Sequence, residues 1–386
     1  MPTRTLHYEL EAPRASLINK VVDKLNYLCN EVWIRQLRRY GHSGSELFVI
    51  RAPDGRPQSS DDARRYVPVV VKIGPRGSIA REQVGYQLIT NRVEAVGFAP
   101  TKAQFLDDHD LGAIVYPLHS EMRGKSDPKI RELRELFFRS DTPPEEATLG
   151  IQTLQELYEG LERESFHSPL EIKESTWREQ FNTSLSDDGI NKAKARIRRM
   201  LGRRGEFAIP YNLHAADPLD LIDRVLQAKS NFMVGSIHGD LHSSNVLLRH
   251  GKFPGLIDFE WSSPEGYLAR DFVSMECSLR FHHFPSDISL PDQLEMISIL
   301  NCFEGYEHSS PELEAHPEYR EVSEATRIIR QSARRAFGIK ALEYTTALFV
   351  DLFRNMQYPQ FGHLPLAALC NLAHLIQNDL DIGRSS

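Results

Sequence analysis

The apolar positions of the chain change their period several times along its length. Short apolar runs at Leu47 to Ile50, Val67 to Ile73 and Ile114 to Tyr116 are typical of buried strands. Between the second and third run, Ala80 to Val96 spaces its apolar residues three and four positions apart, which predicts a helix. Strands with one helix among them predict a small α+β unit that ends near Leu118.

Helical spacing is also found on both sides of this unit. Before it, Ser16 to Val32 carries apolar residues at helical intervals, so an amphipathic helix is expected there. After it, the region from 121 to 230 is predicted to be mostly helical, and its clearest stretches are Arg131 to Phe138, Ala147 to Leu161 and Ile190 to Met200. Strands are expected again from Val234 to Glu260, and helices from Asp287 to Leu380.

These patterns predict an α+β chain with two lobes. We expect a β-rich N-terminal lobe at residues 1–118 and a mainly helical C-terminal lobe at residues 119–386, which includes the helical region 121–230. A length of 386 residues exceeds the size at which one hydrophobic core stops growing. Length and pattern therefore predict the same division.

Composition narrows the classes of function. The formal net charge of −7 means that no overall basic field attracts nucleic acid or an anionic membrane surface. No apolar run approaches the roughly 20 residues that a membrane span needs. The four cysteines have no CxxC spacing, which favours free thiols in a reducing compartment. We therefore expect a globular cytoplasmic protein without nucleic-acid or membrane partners.

The strongest chemical signal lies between residues 236 and 260. Val246 to Leu248 and Gly255 to Ile257 are apolar runs on either side of a polar turn, which predicts a β-hairpin. A symmetric hairpin about that turn would set Asn245 directly opposite Asp258. An amide oxygen and a carboxylate at one hairpin mouth suit Mg²⁺, which prefers oxygen ligands and keeps phosphate oxygens in its shell.

A candidate general base precedes this hairpin. Asp240 lies five residues before Asn245, on the loop that enters the first strand, where its carboxylate is expected to face an acceptor hydroxyl. Phosphoryl transfer needs positioning and charge neutralisation more than covalent chemistry. A base, two metal ligands and a lysine on the nucleotide phosphates therefore form a sufficient set.

The candidate lysine is Lys72, which ends an apolar strand, and Glu82 follows ten positions later on the predicted helix. Because a buried ammonium needs a partner, we expect these two side chains to pair. Upstream, Gly41, Ser43 and Gly44 lie in a turn-rich loop between two predicted strands. Backbone N–H groups in such a loop can surround phosphate oxygens.

The pattern His238-x-Asp240-x-x-x-x-Asn245, followed by Asp258-Phe259-Glu260, resembles the catalytic loop and metal-binding motif of the aminoglycoside phosphotransferase and choline kinase family. Protein kinases carry D-F-G at the second motif, whereas a glutamate in third place is typical of the small-molecule branch. The resemblance implies a two-lobed protein-kinase-like fold and an ATP-dependent phosphotransferase that uses Mg²⁺. It is specific at residues 238–260 and loose in the glycine loop.

The resemblance also implies a role for each matched residue. Asp240 would be the catalytic base, while Asn245 and Asp258 would bind Mg²⁺. A lone histidine is most often a core residue that bonds a backbone carbonyl, and we expect His238 to be structural and to orient the loop beside Asp240. Lys72 would bind the nucleotide phosphates, with Glu82 as its ion-pair partner.

For the nucleotide, the resemblance implies that the backbone from Tyr116 to Leu118 reads adenine, with Leu247 and Ile257 beneath the ring. Asp271 resembles the later aspartate of the family, which braces the catalytic loop.

Other interpretations stay open. The fragment Asp240-x-His242 also occurs in binuclear metallophosphoesterases, although the further Asn, His and Asp clusters of such sites are missing from the sequence. A protein Ser/Thr kinase of the same fold is a second alternative. A nucleotide-binding regulatory module with little transfer activity is a third, but a pure binding module has no need of Asp240.

A basic segment from Lys192 to Arg204 has two interpretations. The usual one is a solvated helix face balanced by neighbouring acids. The other is a surface that faces an anionic acceptor.

Overall fold

The computed structural model describes residues 5–6, 10–24, 31–38, 44–53, 65–90, 104–108, 110–117, 122–123, 130–137, 144–165, 170–181, 185–202, 216–249, 252–281, 289–302 and 317–382. The chain divides into two compact units. The first comprises Met1–Arg131 and Val246–Ser262, and the second comprises Glu132–Asn245 and Ser263–Ser386. The predicted lobe boundary after residue 118 stays a prediction.

The first unit is built on a seven-stranded sheet. Its strands are β1 (Thr5–Leu6), β2 (Glu31–Arg38), β3 (Glu46–Pro53), β4 (Arg65–Pro75), β5 (Gln104–Asp108), β6 (Leu111–Pro117) and β7 (Met122–Arg123). The strand order is β1-β2-β3-β4-β6-β5, with β7 paired to β4. All pairings are antiparallel except that of β1 with β2.

The two faces of this sheet carry different side chains because successive residues of a strand point to opposite sides. One face packs against α1 (Ala12–Lys24), and its core includes Val69, Val71 and Ile73 of β4. Lys72 has the opposite parity, so it lies on the other face of the sheet, where α2 (Arg76–Thr90) contacts β4 and β6. Strand parity therefore directs the lysine towards α2 rather than into the core beneath α1.

A smaller three-stranded sheet carries the predicted hairpin. Its strands are β8 (Ile130–Glu132), β11 (Val246–Arg249) and β12 (Lys252–Leu256), in the order β12-β11-β8. The segment that follows β12 ends in a short 3₁₀ helix at Phe259–Trp261.

The second unit is mostly helical. Its strands β9 (Glu171–Thr176), β10 (Lys229–Ile237) and β13 (Ser263–Tyr267) form one antiparallel sheet in the order β13-β10-β9. Its helices are α3 (Pro144–Ser165), α4 (Trp177–Phe181), α5 (Asp187–Leu201), α6 (Pro218–Gln227), α7 (Ala269–Phe281), α8 (Leu290–Asn301), α9 (Pro317–Phe337), α10 (Ala341–Asn355) and α11 (His363–Ile382). These elements confirm the predicted α+β class, with a β-rich unit and a mostly helical unit as a two-lobed protein-kinase-like fold requires.

Two predicted helices are wrong in part. The helix expected from Ser16 to Val32 ends at Lys24 in the described residues, and Val32 lies in β2, where it pairs with Leu6 of β1. Val32 fits helical spacing, but with Ile34 it also fits the alternation of a strand, and sheet pairing decides between the two. Ile130–Glu132 forms strand β8 where a helix was expected from Arg131.

The described part of the chain contains no helix that combines the length and hydrophobicity required to cross a membrane.

Candidate active site

Lys72 is the centre of a buried ionic cluster in the first unit. Its Nζ lies 2.6 Å from Oε2 of Glu82 and 2.7 Å from Oδ1 of Asp258. Lys72 is only 4% exposed and Glu82 is fully buried. One ammonium therefore binds two carboxylates that come from α2 and from the segment after β12. We call these three residues the lysine cluster.

Further hydrogen bonds fix Glu82 within the lysine cluster. Its Oε1 accepts the backbone N–H of Asp258 at 3.1 Å and also accepts the hydroxyl of Tyr116. The side chain of Tyr116, on β6, thus contacts the ion pair. These hydrogen bonds tie α2 to the sheet through Lys72 and Tyr116 and to the segment that contains Asp258.

Charge balance in the lysine cluster shifts the pKa of both predicted partners. Burial alone would lower the pKa of Lys72, but Asp258 and Glu82 outweigh it and hold that pKa above the ordinary lysine value. Burial raises the pKa of Glu82, and the nearby ammonium of Lys72 opposes this rise. The ammonium thus stays charged while the two acids compete for a single cation.

The Asp258-Phe259-Glu260 segment packs closely on α2. Asp258 adopts a left-handed backbone with φ of 71°, a conformation that is uncommon outside glycine. The Phe259 ring lies 5.4 Å from the ring of Tyr86 in an edge-to-face contact. At Gly85, an added Cβ would lie 1.9 Å from the carbonyl oxygen of Phe259. A glycine is therefore needed where the helix meets this backbone.

The carboxylate of Glu260 is fully engaged by α2. Its Oε2 accepts the hydroxyl of Ser78 at 2.6 Å, and its Oε1 accepts Nε and Nη2 of Arg81 at 2.9 and 2.5 Å. The Glu260 side chain is 4% exposed, whereas Arg81 is largely exposed.

The hairpin register differs by one residue from the prediction. Val246 pairs with Leu256 and Leu247 with Gly255, and an irregularity between Leu247 and Arg249 changes the spacing towards the turn. The symmetric hairpin expected from sequence would have paired Val246 with Ile257, so the argument that set Asn245 opposite Asp258 was wrong in its register. A β-bulge adds a residue to one strand, and the sequence pattern of this hairpin does not predict it.

The residues predicted to bind nucleotide are only partly described. Leu247 and Ile257 are both buried, and Gly44, two residues before β3, has a positive φ of 71°. Gly41, Ser43 and Leu118 lie outside the described residues. Their roles, and that of Tyr116 in reading adenine, stay predictions.

In the second unit, Asp271 holds the start of the loop that carries Asp240. Its Oδ2 accepts the backbone N–H of His238 at 2.7 Å, and its Oδ1 accepts that of Gly239 at 2.8 Å. Gly239 has φ of 82°, so the chain turns sharply here. Burial raises the pKa of Asp271, although His238 and the two backbone N–H groups oppose the rise.

Asp240 presents its carboxylate at the surface of this loop. The side chain is 25% exposed, and Oδ2 lies 3.7 Å from Nε2 of His242. Its Oδ1 lies 3.7 Å from Nη1 of Arg354, at the end of α10. Both distances exceed hydrogen-bond reach, so neither group occupies the lone pairs of the carboxylate. His238 is buried, and its Nδ1 accepts the backbone N–H of Asp240 at 3.4 Å.

Asn245 has a free amide oxygen. Its Nδ2 donates to the backbone oxygen of Asp240 at 2.9 Å, and the side chain is fully buried. Its Oδ1 has no hydrogen-bond partner among the residues that the structure describes. A buried amide oxygen without a hydrogen bond requires another polar partner. A hard metal cation that prefers oxygen ligands is a suitable partner. The Asn245 oxygen in the second unit and, separately, the partly exposed carboxylate of Asp258 in the first unit are each oxygen donors of the kind that Mg²⁺ prefers.

Two lysines of the basic segment are paired with acids, and one arginine is bound to backbone oxygens. Lys192 pairs with Asp188, Lys194 donates to Asp223, and Arg196 donates to the backbone oxygens of residues 359 and 361. These contacts agree with the solvated-face interpretation. Residues 203 and 204 lie outside the described part.

Sequence reasoning missed the arginines near Asp240. Arg354 and Arg270 are both buried. Burial and the neighbouring Arg354 lower the pKa of Arg270 to about 10, against the opposing effect of Asp240, Asp271 and Asp351. Only the apolar spacing of α10 could have shown that this helix has a buried face, and that spacing does not identify the partner of Arg354.

A protein-family model matches part of the chain. The model of Ternary complex associated domain 9 matches residues 190–356, which is fewer than half of the residues. No curated protein sequence matches the chain.

Solved structures that are similar to the chain include three small-molecule kinases. A thermostable mutant of aminoglycoside phosphotransferase APH(4)-Ia, in its apo form, is 11% identical with a TM-score of 0.44, over 94% of this chain and 98% of that one. A glucosamine kinase is 13% identical with a TM-score of 0.40, over 90% and 94%. Choline kinase LicA from Streptococcus pneumoniae is 14% identical with a TM-score of 0.35, over 81% and 98%. Likeness at this level carries no argument about function, so the site residues are interpreted from their own contacts.

Proposed function

We propose that this protein is an ATP-dependent phosphotransferase that moves the γ-phosphate of ATP to a hydroxyl or amine of a small-molecule acceptor. The observation that carries this proposal is the lysine cluster, in which a buried ammonium binds one carboxylate on a helix and a second in the Asp258-Phe259-Glu260 segment. A protein that needed only stability would gain as much from apolar residues at these positions, because removing an ammonium and a carboxyl group from water is costly even when they pair.

Lys72 is proposed to bind phosphate oxygens of the nucleotide. Its ammonium stays charged because two acids raise its pKa. Glu82 orients that ammonium through the 2.6 Å contact. A positioned cation is what phosphoryl transfer requires, since negative charge is spread over the phosphate oxygens in the transition state.

Asn245 and Asp258 are proposed to hold Mg²⁺. Bound Mg²⁺ would neutralise phosphate charge during transfer. Asn245 contributes a buried amide oxygen that lacks a protein partner in the described residues, and Asp258 contributes a carboxylate that is 19% exposed.

Asp240 is proposed to act as the general base. It accepts the proton of the acceptor hydroxyl while the acceptor oxygen forms its bond to the γ-phosphorus. The bond from that phosphorus to the bridging oxygen of the β-phosphate breaks, and ADP leaves with the electron pair. The contacts of Asp271 with the N–H groups of His238 and Gly239 fix the loop that carries the base.

The proposal is tested by offering γ-labelled ATP with Mg²⁺ to a panel of small hydroxyl metabolites, aminoglycosides and a whole-cell protein extract. Label in a small molecule supports the proposal. A labelled protein band would instead assign a protein Ser/Thr kinase, and nucleotide binding without any transfer would assign a regulatory module.

Two variants separate the proposed roles. Asp240→Asn should abolish transfer while nucleotide binding, measured by calorimetry, is retained. Asp258→Ala should also weaken binding of the Mg²⁺ nucleotide. Asp220→Asn, an exposed position at the start of α6, is the matched control and should change neither quantity. Full turnover by Asp240→Asn would refute the role of the base.

A further inference from the structure

Glu260 occupies the position that is glycine in the D-F-G form of the motif, and its contacts are directed at α2. Both of its oxygens accept hydrogen bonds from the first turns of that helix, one from Ser78 and the other from Arg81. The side chain of Glu260 is 4% exposed, and a buried carboxylate requires hydrogen-bond donors for its oxygens. Ser78 and Arg81 provide them.

A second contact attaches the same segment to the middle of α2. The carbonyl of Phe259 fits against Gly85, where even a methyl group would collide with it. The ring of Phe259 also contacts Tyr86 at 5.4 Å between centroids. One segment therefore binds α2 at Ser78 and Arg81 and again at Gly85 and Tyr86.

Glu82 lies between these two attachment points in the helix. Its carboxylate pairs with Lys72 and accepts the backbone N–H of Asp258. A rotation or shift of α2 would move Glu82 away from both, so the attachments on either side limit that motion.

We propose that Glu260 is a positioning residue that holds α2 so that Glu82 keeps Lys72 in place for the nucleotide, and that it is not a metal ligand. The inference rests on the proposed phosphotransferase function. The carboxylate of Glu260 forms a hydrogen-bonded ion pair with the guanidinium of Arg81 and accepts a further hydrogen bond from the hydroxyl of Ser78. These bonds engage both oxygen atoms with which the carboxylate would bind a metal.

Variants of Ser78 and Arg81 distinguish a positioning role of Glu260 from a role as metal ligand. If Glu260 acts through α2, removing Ser78 and Arg81 as donors has the same consequence as removing Glu260. If it binds Mg²⁺, only the loss of Glu260 matters, and it changes the dependence on the metal.

The experiment compares Glu260→Ala, Glu260→Gln and the double variant Ser78→Ala/Arg81→Met with the parent protein. Glu260→Ala and the double variant should each lower kcat about 10- to 100-fold, as loss of a supporting contact in a site typically does. The Mg²⁺ concentration that gives half the maximal rate should not change. Glu260→Gln keeps an oxygen for Ser78 and should retain more activity than Glu260→Ala.

Amide hydrogen exchange of the nucleotide-free protein provides a readout that does not depend on activity. Exchange across α2 should become about tenfold faster in Glu260→Ala and in the double variant, because each removes charged hydrogen bonds. Gln87→Ala, at an exposed position of the same helix, is the matched control and should leave kcat and exchange unchanged.

Three results would overturn the proposal. One is a higher Mg²⁺ requirement in Glu260→Ala with normal kcat in the double variant. Another is unchanged amide exchange across α2 in Glu260→Ala and in the double variant. This result would show that Glu260 does not hold α2, even if the parent protein transfers no phosphate. The third is lower thermal stability with kcat retained, since that outcome assigns Glu260 to stability alone.

Discussion

The guanidinium of Arg354 lies 3.7 Å from the carboxylate of Asp240, so the last residues of α10 supply a cation to the proposed base. Arg354 is itself held by Asp351 at 3.2 Å. Asp351 is fully buried and also accepts hydrogen bonds from Ser274 and Asn355, both at 3.2 Å. The position of Arg354 is thus fixed independently of Asp240, and the arginine can orient the carboxylate without using its lone pairs.

Arg354→Met should lower kcat about 10- to 100-fold, because the base loses the charge that orients it. Arg354→Lys keeps a cation and should lose less, whereas nucleotide affinity measured by calorimetry should be unchanged in both. The methionine variant should also lose about 3–5 kcal/mol of unfolding free energy, since the buried Asp351 loses its ion-pair partner.

Arg335→Met is a suitable control for Arg354. Arg335 pairs with Glu162 but is 63% exposed, so the variant should have nearly normal kcat and stability. Normal kcat in folded Arg354→Met would contradict a role for Arg354 in orienting the base.

Gly85→Ala should destabilise the first unit and reduce activity. The new methyl group would lie 1.9 Å from the carbonyl oxygen of Phe259, and a backbone atom cannot swing away as a flexible side chain can. Overpacking of this kind costs about 1–3 kcal/mol, which urea-induced unfolding can measure.

Gly77→Ala on the same helix is the matched control. A Cβ there meets only the end of the Arg81 side chain at 3.8 Å. The substitution should stabilise the protein by roughly 0.5–1 kcal/mol, because alanine favours the helix more than glycine does. If both alanine variants are equally stable, the close approach of α2 to Phe259 does not exist in solution.

Local patterns explain what the sequence could predict about the fold and the site. The apolar run of β4 and the helical spacing of α2 are encoded by neighbouring residues, so the strand of Lys72 and the helix of Glu82 could be expected. A buried lysine next to that helix also requires an acid, which led to Glu82 as its partner.

The features that were missed depend on distant parts of the chain. Arg354 lies more than a hundred residues after Asp240, and no periodicity specifies which buried groups will meet. The irregular register after Leu247 and the strand position of Val32 are set by pairing with other strands. The engagement of Glu260 by Ser78 and Arg81 is likewise visible only when α2 is in place.

Titration of Glu82 should be detectable in the pH dependence of stability. Burial raises its pKa above the ordinary value of 4.5, so the folded protein holds this proton where the unfolded chain has released it. The bound proton contributes fully to the unfolding free energy below the ordinary pKa of Glu82. That contribution is lost as the pH rises through the raised pKa of the folded protein. Relative to Glu82→Gln, the unfolding free energy of the wild type should therefore decrease from about pH 5 to about pH 8.

Titration of Lys72 does not contribute to this pH dependence of the unfolding free energy, because its pKa is also raised and it stays charged between pH 5 and pH 8. A difference between wild type and Glu82→Gln that is constant or increases with pH would show that burial does not dominate the pKa of Glu82.

The buried network around Glu276 provides a last prediction, about stability rather than chemistry. Glu276 accepts hydrogen bonds from Arg280 and Arg330, both at 2.7 Å, and from the hydroxyl of Tyr344 at 2.8 Å. Glu276→Gln would leave two buried guanidiniums with no carboxylate between them, which should cost about 3–5 kcal/mol of unfolding free energy. Glu324→Gln breaks a more exposed pair with Arg327 and should cost at most about 1 kcal/mol in the same unfolding assay. Equal losses in the two variants would mean that the charge of Glu276 is solvated, in conflict with its position between α7, α9 and α10.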